Sequence, residues 1–198
     1  MAADYELMIR NLLSFYDFTG KTVIAVGAGG GLLAEYSRTM GKVIAVDHDS
    51  AALKQLHENI VRMGLTDKFT LVQSDFFSLD LRADVLLFEF CLHEIADPAE
   101  AVAKARTLAP DVVVFDHAPD SDWAFCAAEE DKVRLVWQVL DELPSRRRRL
   151  YETVQKFNEF SELLEKVKSQ GETAIQRIEK WRGRKNIAIP MTYGLALL

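Results

Sequence analysis

The most constraining feature of this chain is an apolar run that leads directly into a cluster of glycines. Residues 21–26 read K-T-V-I-A-V, residues 27–31 read G-A-G-G-G, and a segment of helical character follows at residues 32–36. This order predicts a buried strand, a tight turn and the start of a helix. Glycine suits such a turn because it reaches positive φ at little cost and because its missing Cβ lets another molecule lie against the backbone.

A second apolar run ends in a carboxylate. Residues 43–46 read V-I-A-V, and Asp47 follows them, 20 positions after Gly27. A carboxylate at the tip of the neighbouring strand is positioned to accept the two hydroxyls of a ribose. The two runs together predict a site for an adenosine-containing cofactor. Residues 29–34 also satisfy the spacing G-x-G-x-x-A, so an NAD(P)-dependent oxidoreductase stays open as an alternative.

Composition narrows the class of protein further. The 198 residues suit a single domain (1–198), and 49% hydrophobic residues are ordinary for a globular chain. A net charge of −6 argues against a general binder of nucleic acid or of membrane surfaces. The two cysteines lie far apart, without metal-ligand spacing, and no apolar run is long enough to cross a bilayer. We therefore expect a cytoplasmic protein with reduced thiols.

A third acidic residue follows the third predicted strand. The strand covers residues 69–73, and Asp75 and Phe76 come directly after it. A carboxylate at this tip can accept a hydrogen bond from the exocyclic amine of adenine, while the Phe76 N–H reaches a ring nitrogen. A dinucleotide-binding fold has no comparable requirement here. Further strands are predicted at 84–90 and 111–116, with a helix capped by Asp97 between them.

The ends of the chain are predicted to cover the sheet. Residues 1–20 form a first helix, capped by Asp4, that packs on the sheet or covers the pocket. Two long helices are predicted at 122–143 and 146–169, so that residues 118–171 form a helical insertion with one helix more than the sheet needs. This surplus is predicted either to form a substrate lid, with Trp123 and Phe125 lining it, or to serve only for packing or as a dimer surface. Four arginines at 146–149 open the second helix as a solvated face or as partners of nearby acids. Residues 173–181 and 187–198 alternate like a β-hairpin.

The five motifs, in this order and spacing, resemble the class I S-adenosylmethionine-dependent methyltransferases. They read V-I-A-V-G-A-G-G-G, V-I-A-V-D-H-D, V-Q-S-D-F, V-L-L-F-E-F-C-L-H-E-I-A-D-P and V-V-V-F-D-H, and they cover roughly residues 20–120. The resemblance implies an α/β fold, a three-layer sandwich. Its seven-stranded sheet is mostly parallel, with an antiparallel C-terminal hairpin strand, and extra helices lie between strands five and six. The terminal hairpin favours this family over a nicotinamide-dependent dehydrogenase.

The resemblance also implies roles for individual residues around S-adenosyl-L-methionine. The glycine turn approaches the methionyl and ribose parts, Asp47 holds the ribose hydroxyls and His48 flanks the adenine. Asp75 and Phe76 read the adenine edge, and the end of the fourth strand borders the methyl-transfer site. The implied cofactor-binding residues are Gly27, Ala28, Gly29, Gly31, Asp47, His48, Asp75, Phe76, Glu89 and Phe90. The family usually has an acidic residue two positions before the first glycine, but this chain has Ala25, for which Glu89 can compensate.

Candidate catalytic bases lie at the predicted strand tips. They are His93, Glu94 and His117, and Asp116 is positioned to orient His117. No cluster has metal-ligand spacing along the sequence, so a metal-independent enzyme is expected. The sequence thus predicts a methyltransferase acting on a small-molecule acceptor, without nucleic-acid or membrane partners, as a monomer or homodimer. A non-catalytic S-adenosylmethionine-binding protein is the third hypothesis.

Overall fold

The computed structural model describes residues 4–30 and 32–198. They form a seven-stranded sheet in the order β3-β2-β1-β4-β5-β7-β6, with helices on both faces. The strands are β1 (Thr22–Val26), β2 (Lys42–Asp47), β3 (Phe69–Gln73), β4 (Val85–Glu89), β5 (Asp111–His117), β6 (Arg147–Glu159) and β7 (Lys185–Leu197). The helices are α1 (Tyr5–Phe15), α2 (Leu33–Tyr36), α3 (Ser50–Arg62), α4 (Pro98–Leu108), α5 (Asp122–Cys126), α6 (Glu130–Glu142), α7 (Phe160–Val167) and α8 (Glu172–Ile178).

The central strands are buried on both faces, which explains why they are continuous apolar runs rather than alternating ones. In β1, Val23 and Ala25 belong to one hydrophobic core, and Ile24 and Val26 belong to a second core. Because successive side chains of a strand point to opposite faces, these two cores lie on the two sides of the sheet. The predicted three-layer arrangement is confirmed.

The order of the parallel strands positions the site. Strand β1 pairs in parallel with β2 on one side and with β4 on the other, so the order in which strands are added to the sheet reverses at β1. In open α/β sheets ligands bind outside the carboxyl ends of the strands at such a switch point. The tips of β1, β2 and β4 carry Gly27, Asp47 and Glu89, and they therefore meet at one edge.

Strands β6 and β7 form a long antiparallel hairpin that extends past the rest of the sheet. They pair with each other from Arg147↔Leu197 to Glu159↔Lys185. Strand β5 pairs with β7 only from Val113↔Leu197 to His117↔Tyr193. The part of the hairpin formed by residues 153–159 and 185–191 therefore projects beyond β5, and we call it the overhang.

The predicted second long helix, residues 146–169, is wrong over most of its length. Residues 147–159 form β6, and only Phe160–Val167 is helical. Leu150, Val154 and Phe157 recur at helical spacing, but Leu150 is 61% exposed and the buried positions of the strand are Gln155 and Phe157. Alternation with period two describes this segment, and its pairing with β7 overrides the helical pattern.

Two further elements differ from the prediction. Residues 173–181 were expected as the first strand of a hairpin, but Glu172–Ile178 is helix α8, and β6 is the true partner of β7. The predicted helix 122–143 is two helices, α5 and α6, separated where Ala128 adopts φ +59°. The predicted helical insertion at 118–171 therefore contains a strand as well as helices.

The four arginines lie at the start of an edge strand instead of opening a helix. Arg146 donates to Asp111 over 2.6 Å, and Arg148 pairs with Asp141. Arg147 lies over the Phe15 ring at 4.4 Å. Neighbouring acids and an aromatic ring thus engage three of these side chains. Across residues 4–30 and 32–198, no helix is both long and apolar enough to span a bilayer.

Candidate active site

The glycine turn packs so closely against its neighbours that a side chain would not fit at Gly27 or at Gly29. Gly27 adopts φ +69°, and a Cβ on it would lie 2.4 Å from Cys91 Cβ. A Cβ on Gly29 would lie 2.2 Å from Ala52 Cβ. Ala28 is buried in the short 3₁₀ turn Ala28–Gly30. Gly31, also predicted to approach the cofactor, lies outside the described residues.

Asp47 is fixed at the tip of β2 by backbone amides of this turn and of the next loop. Its Oδ2 accepts from the Gly29 N–H at 3.1 Å, and its Oδ1 accepts from the Asp49 N–H at 3.0 Å. Each carboxylate oxygen keeps a further lone pair for a ligand. The His48 side chain beside it is 90% exposed, so it is free to lie along a bound ring.

A cavity of about 450 Å³, here called the glycine-turn cavity, brings the predicted adenosine residues together. Asp75 caps the turn after β3 by accepting from the Phe77 N–H at 2.8 Å. The Phe76 ring is buried edge-on against Phe88, with centroids 5.4 Å apart. The wall includes Val26, Gly27, Val46, Asp47, His48, Ser74, Asp75, Phe76, Phe77, Cys91, Glu94, Ile95 and Ala96.

A second cavity of about 390 Å³, here called the histidine cavity, adjoins the first and shares Gly27 and Glu94 with it. Its wall includes Tyr5, Met8, Leu32, Glu89, Phe90, His93, His117, Trp123, Ala127, Glu129, Gln155, Lys166, Ser169, Gln170 and Met191. The predicted catalytic residues therefore share one cavity. Of the two predicted lid aromatics, Trp123 lines it, whereas Phe125 stacks with Arg177 at 4.0 Å.

Glu89 lies at the tip of β4, in the wall of the histidine cavity. It is 6% exposed and accepts a hydrogen bond from the Tyr36 hydroxyl. Burial raises the pKa of its carboxyl to about 7, although the bond from Tyr36 acts in the opposite direction. The next residue, Phe90, adopts φ +49°, which is costly for an aromatic residue and is often found at functional sites. Its ring contacts His117, with centroids 4.9 Å apart.

Asp116 orients His93, not His117 as the sequence suggested. Its Oδ1 lies 2.5 Å from His93 Nδ1, and its Oδ2 accepts from the His93 N–H at 3.1 Å. The only described bond from His117 to Asp116 comes from the backbone N–H, at 2.8 Å. Burial acts to lower the pKa of His93, but the carboxylate of Asp116 outweighs it and the pKa rises to about 10.

His117 and Glu129 face each other across the same cavity. Their closest atoms, Nε2 and Oε2, are 4.0 Å apart, and His93 Nε2 is 3.7 Å from the same Oε2. Burial lowers the pKa of His117 to about 4 and raises that of Glu129 to about 7. Glu94 lies at the rim, where hydrogen bonds from His93 and Lys132 lower its pKa to about 2.

Several residues of this cavity were not predicted. Glu129 follows the left-handed residue Ala128 at the start of α6, and Gln155 and Met191 lie on the overhang. None belongs to a recognisable motif, because each reaches the cavity through long-range packing. One local signal was present for Glu129. A short helix, a break and then a second helix that begins with acidic residues indicate a turn, and Glu129 lies at this turn.

Residues 24–115 match the family model described as a methyltransferase domain. Curated relatives include the ribosomal protein L11 methyltransferase of Photobacterium profundum, 37% identical over 73 residues, which are 36% of this chain and 25% of that protein. The Escherichia coli (strain K12) protein of the same name is 31% identical over 100 residues, 50% of this chain and 33% of that protein. The chain thus spans a quarter to a third of these relatives' length.

Solved structures share the fold over nearly the whole chain. A SAM-dependent methyltransferase from Aquifex aeolicus superposes with a TM-score of 0.61 at 19% identity, over 98% of this chain and 89% of its own. The YcgJ protein from Bacillus subtilis superposes with a TM-score of 0.66 at 11% identity, over 97% of this chain and 96% of its own. At these identities the likeness concerns the fold alone.

The comparisons correct one expectation and decide between two others. The curated relatives are named for a protein acceptor, which contradicts the small-molecule acceptor predicted from the sequence. The matched domain favours a methyltransferase over the nicotinamide-dependent alternative, and the Aquifex aeolicus protein of the same fold is named as SAM-dependent. The glycine cradle and the anchored Asp47 fit that cofactor. The family model thus matches slightly less than half of the chain, and nearly the whole chain has the fold of the solved methyltransferase structures.

Proposed function

We propose that this chain transfers a methyl group from S-adenosylmethionine to a nucleophilic side chain of a protein acceptor. The observation that carries the proposal is the pair of adjoining cavities that share Gly27 and Glu94. One cavity has the polar groups that an adenosine requires, and the other has titratable groups suited to an acceptor. The protein acceptor is carried over from the names of the curated relatives.

In this proposal the glycine-turn cavity holds the adenosine part of the cofactor. Asp47 accepts hydrogen bonds from the ribose hydroxyls through the lone pairs that Gly29 and Asp49 leave free. Asp75 accepts from the adenine amine, and the Phe76 N–H donates to a ring nitrogen. The exposed His48 ring covers the adenine face. Gly27, Ala28 and Gly29 let the backbone lie against the methionyl and ribose parts.

Glu89 takes the role that an acidic residue before the glycine turn has in the family. Position 25, an alanine here, is buried in β1, whereas Glu89 lines the histidine cavity together with Gly27. Its carboxylate is therefore proposed to attract the ammonium group of the methionyl part. The Tyr36 hydroxyl holds the carboxylate in place, and Phe90 forms the wall beside the reacting methyl group.

The sulfonium of the cofactor supplies an already activated methyl group. The protein then has to align the acceptor and exclude water. Because burial keeps His117 neutral at pH 7, its ring nitrogen is available to accept a proton from the acceptor. His93, which Asp116 holds, and Glu94 stand beside it. Tyr5 and Met8 of α1, Lys166 of α7, and Ser169 and Gln170 after α7 line the cavity. A cover formed by residues 1–20 and a lid formed by 118–171 remain part of the proposal.

Two measurements test the proposal. Calorimetric titration with S-adenosylmethionine, S-adenosylhomocysteine, NAD and NADP should show binding of the first two only. Incubation with S-adenosylmethionine carrying a tritiated methyl group and an extract of the source organism should label protein. The label should disappear when excess S-adenosylhomocysteine is added. Label confined to the low-mass fraction, or tight binding of NAD, would contradict the proposal.

A further inference from the structure

The histidine cavity contains buried polar groups that have no partner to explain them. His117 is 8% exposed and Glu129 is 6% exposed. His117 Nδ1 is buried without a hydrogen-bond partner in the described part of the chain. The Glu129 carboxylate accepts no hydrogen bond from that part either, and its nearest cationic or ring nitrogens are the two histidine Nε2 atoms. Buried polar groups are normally paired, so the unpaired Glu129 carboxylate, which faces both Nε2 atoms, indicates a missing ligand.

The same groups have the arrangement of a metal site. One ligand atom from each of His93, His117 and Glu129 lies within 4.8 Å of the other two. A zinc ion bound at about 2.0–2.1 Å in tetrahedral geometry would hold its ligand atoms roughly 3.3 Å apart. The two distances to Glu129 Oε2, 3.7 and 4.0 Å, have to shorten by less than an ångström to reach that spacing.

The surroundings of His93 also match a metal ligand. Metal-bound histidines usually donate their second ring N–H to a carboxylate, which fixes the ring and its tautomer. Asp116, fully buried, accepts from His93 Nδ1 and so turns Nε2 toward the cavity. It also accepts from the backbone N–H of both histidines, so that a single carboxylate positions two of the three candidate ligands.

We propose that His93, His117 and Glu129 bind a divalent transition metal ion, zinc in the first place, in the wall of the histidine cavity. Two imidazoles and one carboxylate with an open position are a known zinc ligand set. An ion held there would act as a Lewis acid toward the lone pair of an incoming acceptor. Glu94 Oε1 lies 3.4 Å from His93 Nε2, but Lys132 pairs with the other carboxylate oxygen at 2.7 Å and the residue lies at the exposed rim, so we leave it outside the ligand set. With the ion bound, His117 would act as its ligand and not as the proton acceptor, and the ion would activate the acceptor instead. This link to methyl transfer rests on the proposed function, whereas ion binding itself does not.

The wide spacing of the three residues along the chain explains why the sequence predicted a metal-independent enzyme. His93 and His117 are 24 positions apart and Glu129 follows 12 positions later, a spacing with no local signature. The three residues come from the turn after β4, the end of β5 and the start of α6. Folding alone brings them together.

Calorimetric titration of the chelator-treated protein with zinc chloride tests the proposal. We expect one zinc per chain. Glu129→Gln, which keeps the side-chain shape, should weaken binding by more than about 100-fold, because one ligand and its charge are lost. Asp116→Asn should weaken it by about 10- to 100-fold. His57→Gln removes an exposed imidazole of α3 and is the matched control, which should bind zinc like the parent.

Cobalt substitution and cofactor titration distinguish a failure of the metal-site proposal from a failure of the proposed function. Cobalt(II) at this site should give the visible bands of a four-coordinate ion, and Glu129→Gln should remove them. Absence of zinc binding, or binding that Glu129→Gln leaves intact and His57→Gln removes, would overturn the proposal. Each variant is also titrated with S-adenosylmethionine, which should still bind to Glu129→Gln. Zinc binding without cofactor binding would instead contradict the proposed function.

Discussion

The two adjoining cavities are built in different ways. The glycine-turn cavity uses residues directly after β1, β2 and β3, and its key acids are held by nearby backbone amides, as Asp47 and Asp75 show. The histidine cavity assembles groups from regions spread along the chain from Tyr5 to Met191, and its buried acids and imidazoles depend on one another. A local motif therefore suffices for the cofactor, whereas acceptor chemistry depends on the tertiary fold.

The largest effect is expected at Asp47. Hydrogen bonds to a charged group contribute about 1.5–3 kcal/mol each, so Asp47→Ala, which removes two, should weaken S-adenosylmethionine binding about 100-fold or more. Asp80→Ala, which removes an exposed carboxylate, should leave the affinity unchanged. Calorimetric titration measures both. Equal losses in the two variants would contradict the local character of the cofactor site.

The next effect concerns the packing behind the histidine cavity. A Cβ on Gly194 would lie 2.1 Å from the Trp137 ring, whose Nε1 donates to the His117 carbonyl at 2.7 Å. Gly194→Ala should therefore lower the free energy of unfolding by about 1–3 kcal/mol. Neither residue lines the glycine-turn cavity, so cofactor affinity should persist.

Urea denaturation of a double-mutant cycle identifies the cause of that loss. In a Trp137→Leu background the added methyl meets a smaller side chain, so Gly194→Ala should cost less than in the parent. An equal cost in both backgrounds would mean that the clash with Trp137 is not responsible. Loss of cofactor binding in Gly194→Ala would show that the two cavities are not independent.

A smaller effect on cofactor affinity is expected from pH, through the charge of Glu89 in the wall of the histidine cavity. The carboxyl carries its charge only above its pKa of about 7, so S-adenosylmethionine affinity should rise roughly tenfold from pH 6 to pH 8. Glu89→Gln should remove this rise. Titrations across the pH range measure it, and an unchanged slope in the variant would contradict the role of Glu89.

The same raised pKa affects folding stability in the opposite direction, because the contribution of Glu89 to stability falls as the pH rises. The folded protein without cofactor holds this proton more tightly than the unfolded chain, where the ordinary value is 4.5. The stabilisation from Glu89 is therefore fully present below pH 4.5 and is lost as the pH rises through about 7. Glu89→Gln should flatten this part of the pH profile in urea denaturation.

The smallest effect is expected at the turn that positions Glu129. Ala128 adopts φ +59°, which glycine tolerates better, so Ala128→Gly should raise the free energy of unfolding by less than about 1 kcal/mol. Ala127, its neighbour, is buried and has an ordinary φ of −78°. Ala127→Gly is the matched change and should destabilise the protein instead. Destabilisation by both changes would contradict strain at residue 128.

The first 120 residues could be predicted well because each element has its own local signal. Strand β3 and helix α4, with its Asp97 cap and Pro98, have the predicted bounds. Strand β6 could not be predicted, because the spacing of Leu150, Val154 and Phe157 imitates a helix and its pairing with β7 is a long-range effect. For the same reason Glu129 was missed, and Asp116 was assigned to the wrong histidine.

The overhang has a consequence for how proteins of this type diversify. Gln155 and Met191 contact each other across its two strands and reach the histidine cavity, while neither lines the glycine-turn cavity. Under the proposed function, exchange of this short ribbon would therefore alter which substrates are accepted and leave nucleoside recognition intact. A change of specificity then requires replacement of one exchangeable part, with the catalytic framework retained.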